Sequence, residues 1–182
     1  MNKDDKRNLT FRINEDASKY YHLKLLGEDG FKGMEYLKPY CLDMDTIVKF
    51  GIGFAADISG VGLTDHLKKL GYTEDEISYS GLVAKFNTKL EKRPECEDVD
   101  RFINDIILPI VDESGLIIGL YARDIEDGTD DFSVSRPYSN LKKALYGINI
   151  AVHTGEDYLI VCDGVILSSR KFFSLHFAPY AV

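Results

Sequence analysis

Residues 106–126 carry the strongest constraint in the chain: two apolar runs, IILPIVD and LIIGLYARDIE, joined by Glu113-Ser114-Gly115. Runs rich in Ile, Leu and Val on either side of a short glycine-containing link are the pattern of a β-hairpin. An isolated hairpin is marginal in water, so the rest of the chain has to cover it.

The first third reads as helical. NEDASKYYHLKLLG, beginning at Asn14, puts Ala17, Tyr20, Tyr21 and Leu25 on one face, and Gly27 supplies a stop. A short helix is expected from Gly33 to Lys38, ended by Pro39, and Asp43 caps another in LDMDTIVKF. Gly51 and Gly53 around Ile52 suit a short strand or a close backbone approach. Two further helices follow: Thr64 is the expected cap of TDHLKKLG, and Thr73 with Glu76 forms the T-x-x-E capping box of TEDEISYSG. The charged stretch KLEKRPECEDVD reads as a loop or connection, and the acidic DIEDGTDD after the hairpin reads as a solvated loop. Its spacing does not fit an EF-hand, because Gly128 falls too early after Asp124. Beyond it, LKKALYGINIAV is helical in part. DYLIVCDG reads as a buried strand and ILSSRKFFSLHF as an amphipathic helix, with Ala178 to Val182 beginning a second parallel strand. The fold class is α+β, with a β-α-β unit at the C-terminal end.

With 182 residues the chain suits one domain, or one with a small appendage. No apolar run approaches the roughly 20 residues of a membrane span, and residues 1–12 are too polar for a signal peptide, so a cytoplasmic location with no membrane partner is expected. Cys41, Cys96 and Cys162 form no CxxC pair and His22, His66, His153 and His176 have no ligand spacing, so no metal site is expected from either. A net charge of −8 argues against nucleic-acid binding over the whole surface and leaves room only for a local basic groove.

Five stretches, in order, resemble the DnaG-type bacterial primase: GMEYLKPYCLDMDTIVKFGIGFA, LKKLGYTEDEISYSGLV, DRFINDIILPIVDESGLIIGLYAR, LYGI and YLIVCDGV. The resemblance implies the N-terminal subdomain of the primase catalytic core over residues 1–155, followed by a truncated Toprim-like β-α-β over 156–182. In that family a cluster of carboxylates in the Toprim subdomain holds the catalytic metal. Asp163 stands in the place of the family's strand-end Glu, and Leu167 in that of the next acidic residue. One vestigial carboxylate cannot hold a catalytic Mg²⁺, which is expected only where a complete Toprim site is supplied elsewhere.

The family also lines a groove for template and nucleotide with basic residues. Arg101 matches the first arginine of DRFR, with Ile103 and Asn104-Asp105 in the later positions, and Arg123 matches the arginine of GGR. Asp131 takes the place of the lysine in KYLNSP, with Arg136, Lys142 and Lys143 near enough in sequence to compensate. These five cations are the nucleic-acid-binding candidates. Each retained arginine also has a structural reading: Arg101 paired with Asp100 or Asp105, Arg123 with Asp124 or Glu126. Tyr121 and Phe132 are expected to pack against apolar neighbours, with base stacking as the alternative.

Two functions follow. One is a primase-core segment that binds single-stranded template DNA or primer and is not catalytic by itself. The other is a degenerate, primase-derived protein-binding module of the kind a mobile element would carry. It would act as a regulator, decoy or inhibitor on a primase, a helicase or another nucleic-acid enzyme.

Overall fold

The structure, a computed structural model, describes residues 3–56, 59–85, 98–134 and 146–151. Arg136, Lys142, Lys143, Asp163 and the expected β-α-β over 156–182 lie outside the described residues.

The hairpin forms as expected and sits at the centre. β4 (Asp105–Val111) pairs antiparallel with β5 (Ile117–Asp124). Around them a sheet of order β1-β4-β5-β6 is completed by β1 (Gly53–Phe54) and β6 (Asp130–Val134). Successive side chains of a strand point to opposite faces, and both faces here are covered. Ile106, Leu108, Ile110 and Tyr121 pack with Leu37, Ile47, Phe50 and Phe54 on one side. Ile107, Leu120 and Ala122 pack on the other with Ile13, Ala17 and Tyr21 and with Leu63, Leu67 and Ile77. Burial on both sides is why the two runs are apolar throughout instead of alternating. A register shift beside Ile110 opposes Gly119 to Ile110 but Ile117 to Val111, leaving Ile118 as the extra residue of a bulge. The bulge turns Ile118 onto the Tyr121 face, while Ile117 packs on the other.

The cover on the second face is α1, which runs Lys3–Leu26 and starts well before Asn14. Asn14 is not a cap. It is fully buried in mid-helix and its Nδ2 donates to Ile117 O at 3.1 Å, tying the helix to the hairpin. Thr10, Phe11, Ile13, Asn14, Ala17, Ser18, Tyr21 and Leu25 are all buried, a helical stripe that its polar members conceal in the sequence. β1 lies directly on this helix: a Cβ on Gly53 would fall 2.7 Å from the Tyr21 backbone carbon, so only glycine fits. His22 Nδ1, 2.6 Å from Ile52 O, reinforces the same contact.

α2 (Phe31–Leu37) passes into a single 3-10 turn at Lys38–Tyr40, so Pro39 tightens the path without ending it. α3 (Met44–Phe50) is capped as expected, with Asp43 Oδ1 accepting from Thr46 N at 2.7 Å. α5 (Glu74–Ser80) carries the expected capping box of Thr73 and Glu76. α4 (Gly62–Lys69) departs from expectation, because its N-cap is Val61, which makes no side-chain bond. The missing acceptor comes from a distant residue. β2 (Val83–Lys85) pairs antiparallel with β3 (Asp98–Asp100), so the end of the charged stretch is a strand. Buried Asp100 accepts from Leu63 N at 2.7 Å, Thr64 N at 2.9 Å and the Thr64 hydroxyl at 2.6 Å. Thr64 therefore serves α4 by donating to Asp100. A short helix, α6 (Ile148–Ala151), is the described part of the helical segment expected after residue 140, and Ile150 packs at the first face.

No helix among the described residues is long and apolar enough to cross a membrane. Asp100→Ala leaves two backbone donors at the buried end of α4 without an acceptor, and is expected to cost about 2–4 kcal/mol in urea unfolding with the slope unchanged. An unaltered midpoint would show that α4 does not depend on this carboxylate.

Candidate nucleic-acid interface

Arg101 and Arg123 are brought to the same strand by different routes. Arg101 follows β3 directly, and its backbone N–H donates to Leu82 O at 2.9 Å. Arg123 is the penultimate residue of β5, opposite Asp130 in the register with β6. The turn between these strands is built by its own acids. Asp124 Oδ1 accepts from Glu126 N at 2.6 Å and Asp127 N at 3.1 Å, and Asp127 Oδ1 accepts from Thr129 N at 2.8 Å. Gly128, at φ 72°, closes the turn in a conformation that disfavours a side chain.

The last two acids, expected in a solvated loop, are instead the first residues of β6 and hold the arginines. Arg101 Nε and Nη2 donate to the two carboxylate oxygens of Asp131 at 2.7 and 2.6 Å, a bidentate fork. Arg123 Nη1 donates to Asp130 Oδ1 at 2.7 Å, and its Nε donates to the Tyr36 hydroxyl at 3.1 Å. The same Asp130 oxygen accepts from the Tyr121 hydroxyl at 2.6 Å. The Tyr36 hydroxyl lies 3.4 Å from that of Tyr40, extending the network along α2 and the following turn.

These contacts raise the pKa of Arg123, Tyr36 contributing most, then Asp130, then Tyr121. The Asp131 bond likewise raises Arg101, and the Arg101 bond lowers Asp131. Burial, with Asp130 as acceptor, pushes the Tyr121 hydroxyl well up, so it remains a donor at neutral pH.

Both structural partners expected for each arginine are replaced, for physical reasons. Asp100 is turned inward to α4, and Asp105 Oδ2 accepts from Ile103 N at 2.9 Å. Asp124 is committed to its turn, and Glu126 accepts from Asn104 Nδ2 at 2.9 Å. Reading 130–134 as a strand against β5 would have disclosed the Arg123–Asp130 pair, since directly opposed residues of opposite charge attract. Asp131 does not stand as an unpaired anion, because its charge is spent on Arg101.

The two arginines do not line one face. Tyr121 and Arg123 share a face with Asp130 and Phe132, whereas Ala122 and Asp131 belong to the other. Arg101 and Arg123 thus flank β6, the outer strand of the described sheet, one on each side. Their side chains are 35% and 31% exposed, so both guanidinium groups reach solvent. Tyr121 is buried and meets Phe132 edge-on at 5.1 Å, while Phe132 is 44% exposed.

Residues 20–151 match the sequence profile described as "DNA primase catalytic core, N-terminal domain". The chain belongs to that family. Curated DNA primases similar to it include those of Clostridium acetobutylicum, 29% identical over 163 residues, and Halalkalibacterium halodurans, 30% over 150 residues. The matches take in 88% and 81% of this chain but only 26% and 24% of those proteins, so it spans about a quarter of their length. Among solved structures, the RNA polymerase domain of Mycobacterium tuberculosis primase DnaG, in complex with double-stranded DNA, superposes with a TM-score of 0.69 at 23% identity. It covers 80% of this chain and 44% of that one. A DnaG primase catalytic domain bound to ssDNA gives 0.67 at 21% identity, over 82% and 46%. At these identities the likeness shows the fold, and the fold is that of the primase catalytic core.

Beside the arginines, burial pushes the Asp105 carboxyl up to about 6. The Ile103 N–H opposes the rise, and the charges of Asp124, Asp131 and Asp127 add to it. Folding therefore favours the protonated acid, and stability falls as pH rises from about 4 to beyond 6. Asp105→Asn is expected to match the parent at pH 4 and to exceed it by about 1–2 kcal/mol at pH 8, the figure being reduced for partial exposure. Denaturant unfolding at both pH values measures the difference, and a gain that is equal at both would rule out titration of Asp105 as its cause.

Proposed function

We propose that this chain supplies the template-gripping part of a primase core, binding single-stranded DNA or primer across the outer edge of β6 and not synthesising primers by itself. The observation that carries the reading is the position of Arg101 and Arg123 on either side of that edge, each with about a third of its side chain open to solvent. Guanidinium groups in a planar fork suit phosphate oxygens, and exposed Phe132, on the Arg123 face, offers an aromatic surface to a base. Two solved domains of this fold are complexes with DNA, one double-stranded and one single-stranded. Arg136, Lys142 and Lys143, close in sequence to β6, are the further cations proposed for this contact.

The second half of the proposal rests on chemistry. Primer synthesis needs divalent metal to activate the attacking hydroxyl and neutralise phosphate charge. In these 182 residues Asp163 is the one carboxylate that the resemblance aligns with the family's metal cluster. A partner Toprim site would have to supply the remainder, together with its Mg²⁺.

The neutralised arginines favour a second reading, a primase-derived module that acts on a primase, a helicase or another nucleic-acid enzyme as a regulator, decoy or inhibitor. Fluorescence anisotropy with a labelled single-stranded oligonucleotide at low salt separates the two. The first reading expects binding that weakens with salt and falls roughly five- to tenfold in Arg123→Ala. No binding, together with suppression of an intact primase in trans, would replace it with the second. A templated product made by the chain alone with Mg²⁺ or Mn²⁺ would overturn the absence of catalysis.

A further inference from the structure

We infer that Asp130 and Asp131 are internal phosphate mimics, which occupy the arginines of the β6 edge and make nucleic-acid binding an exchange of one anion for another. The inference rests on the proposed DNA contact of Arg101 and Arg123 and concerns how that contact is regulated.

The geometry supports exchange. Arg101 presents Nε and Nη2 to both oxygens of Asp131, the edge of the guanidinium that a phosphate would grip in the same bidentate manner. Arg123 gives Nη1 to Asp130 while Tyr36 holds its Nε, so its orientation survives if the carboxylate lets go. Neither ion pair is deeply buried, the aspartate side chains being 50% and 44% exposed. Pairs so exposed are weak, and an incoming polyanion can compete with them. The aspartates also have somewhere to remain. Asp131 Oδ1 accepts from its neighbour's N–H at Phe132, 2.7 Å away, and Asp130 keeps the Tyr121 hydroxyl. Releasing an arginine therefore strands no buried group. Because the two acids are consecutive on one strand and face opposite sides, a single strand segment masks both flanks of the edge at once.

Exchange has a signature that simple charge repulsion lacks. Each phosphate neutralised by a cation releases condensed counterions, which sets how steeply affinity falls with salt. When an arginine arrives already paired, the aspartate it leaves behind recruits cations of its own and the net release shrinks. The parent should therefore bind with a shallow salt dependence, and freeing the arginines should steepen it.

The test is anisotropy titration of a labelled single-stranded oligothymidylate over a range of NaCl concentrations. It compares the parent with Asp130→Asn/Asp131→Asn and with Glu126→Gln/Asp127→Asn, which removes the same charge from the adjoining turn where no arginine is held. The expected result is a roughly three- to tenfold gain in affinity at low salt for the first pair alone, and a log–log salt slope steeper by about 1.4, or 0.7 for each freed arginine. Should the double variant fail to fold, Asp131→Asn leaves the Asp130 contacts intact and should steepen the slope by about 0.7. Equal gains from the turn variant would reduce the effect to net charge and sink the exchange. Parent and variant binding alike, with one slope, would sink it too while leaving the DNA-binding reading intact. Binding by neither would remove that reading and the inference with it.

Discussion

The pairing of β4 with β5, buried on both faces, is the contact on which everything else is hung. Its backbone groups satisfy one another along the ladder, which lets an almost wholly apolar double strand be buried without orphaned donors. One face then calls for α2, α3 and the residues around Tyr146, and the other for α1, α4 and α5. Three polar side chains that reach into this core each tie one covering element down. Asn14 bonds the bulged strand, Asp100 the start of α4, and His22 the entry to β1. Such bonds add little net energy apiece, but leaving any of these groups unpaired in the interior would be expensive, so they select one arrangement of the cover.

The arginine network is a consequence of that frame. Arg123 falls one residue before the end of β5 because the hairpin's register runs on into a tight acidic turn, and the turn returns β6 with Asp130 directly opposite. Asp131 then points to the other face by simple alternation, where the β2–β3 pair delivers Arg101. Of the network only the Tyr121 ring is packed in the core, and the ion pairs lie outside it. They decorate an edge, where side chains can change partners without disturbing the packing beneath. An edge strand with unpaired backbone is also a surface that proteins tend to blunt with charge, and aspartates serve that end as well as they serve the arginines.

Most of the scaffold was legible from residues alone. The hairpin, the Asp43 cap, the Thr73–Glu76 capping box and the short strand at Gly53 depend on neighbours in sequence, and they form as local chemistry dictates. The order of five family-like stretches was equally readable and led to the right fold. The misread elements share a cause. Asn14 stood where a helix was read to begin and Thr64 looked like a local cap, yet their side chains serve partners 103 and 36 residues away. Asp130 and Asp131 looked like more of an acidic loop because Gly128 and three nearby acids mask the start of a strand.

The sequence by itself determined the class of fold and the central hairpin, since hydrophobic period and turn chemistry act over a few residues, while the resemblance to the primase family singled out Arg101 and Arg123. Only the tertiary structure decided what those arginines face. Charge partners are chosen by proximity in space, and the nearest acids in sequence, Asp100, Asp105 and Asp124, were already held by backbone N–H groups. The acids left over were the two that strand pairing carried to the opposite side of the turn.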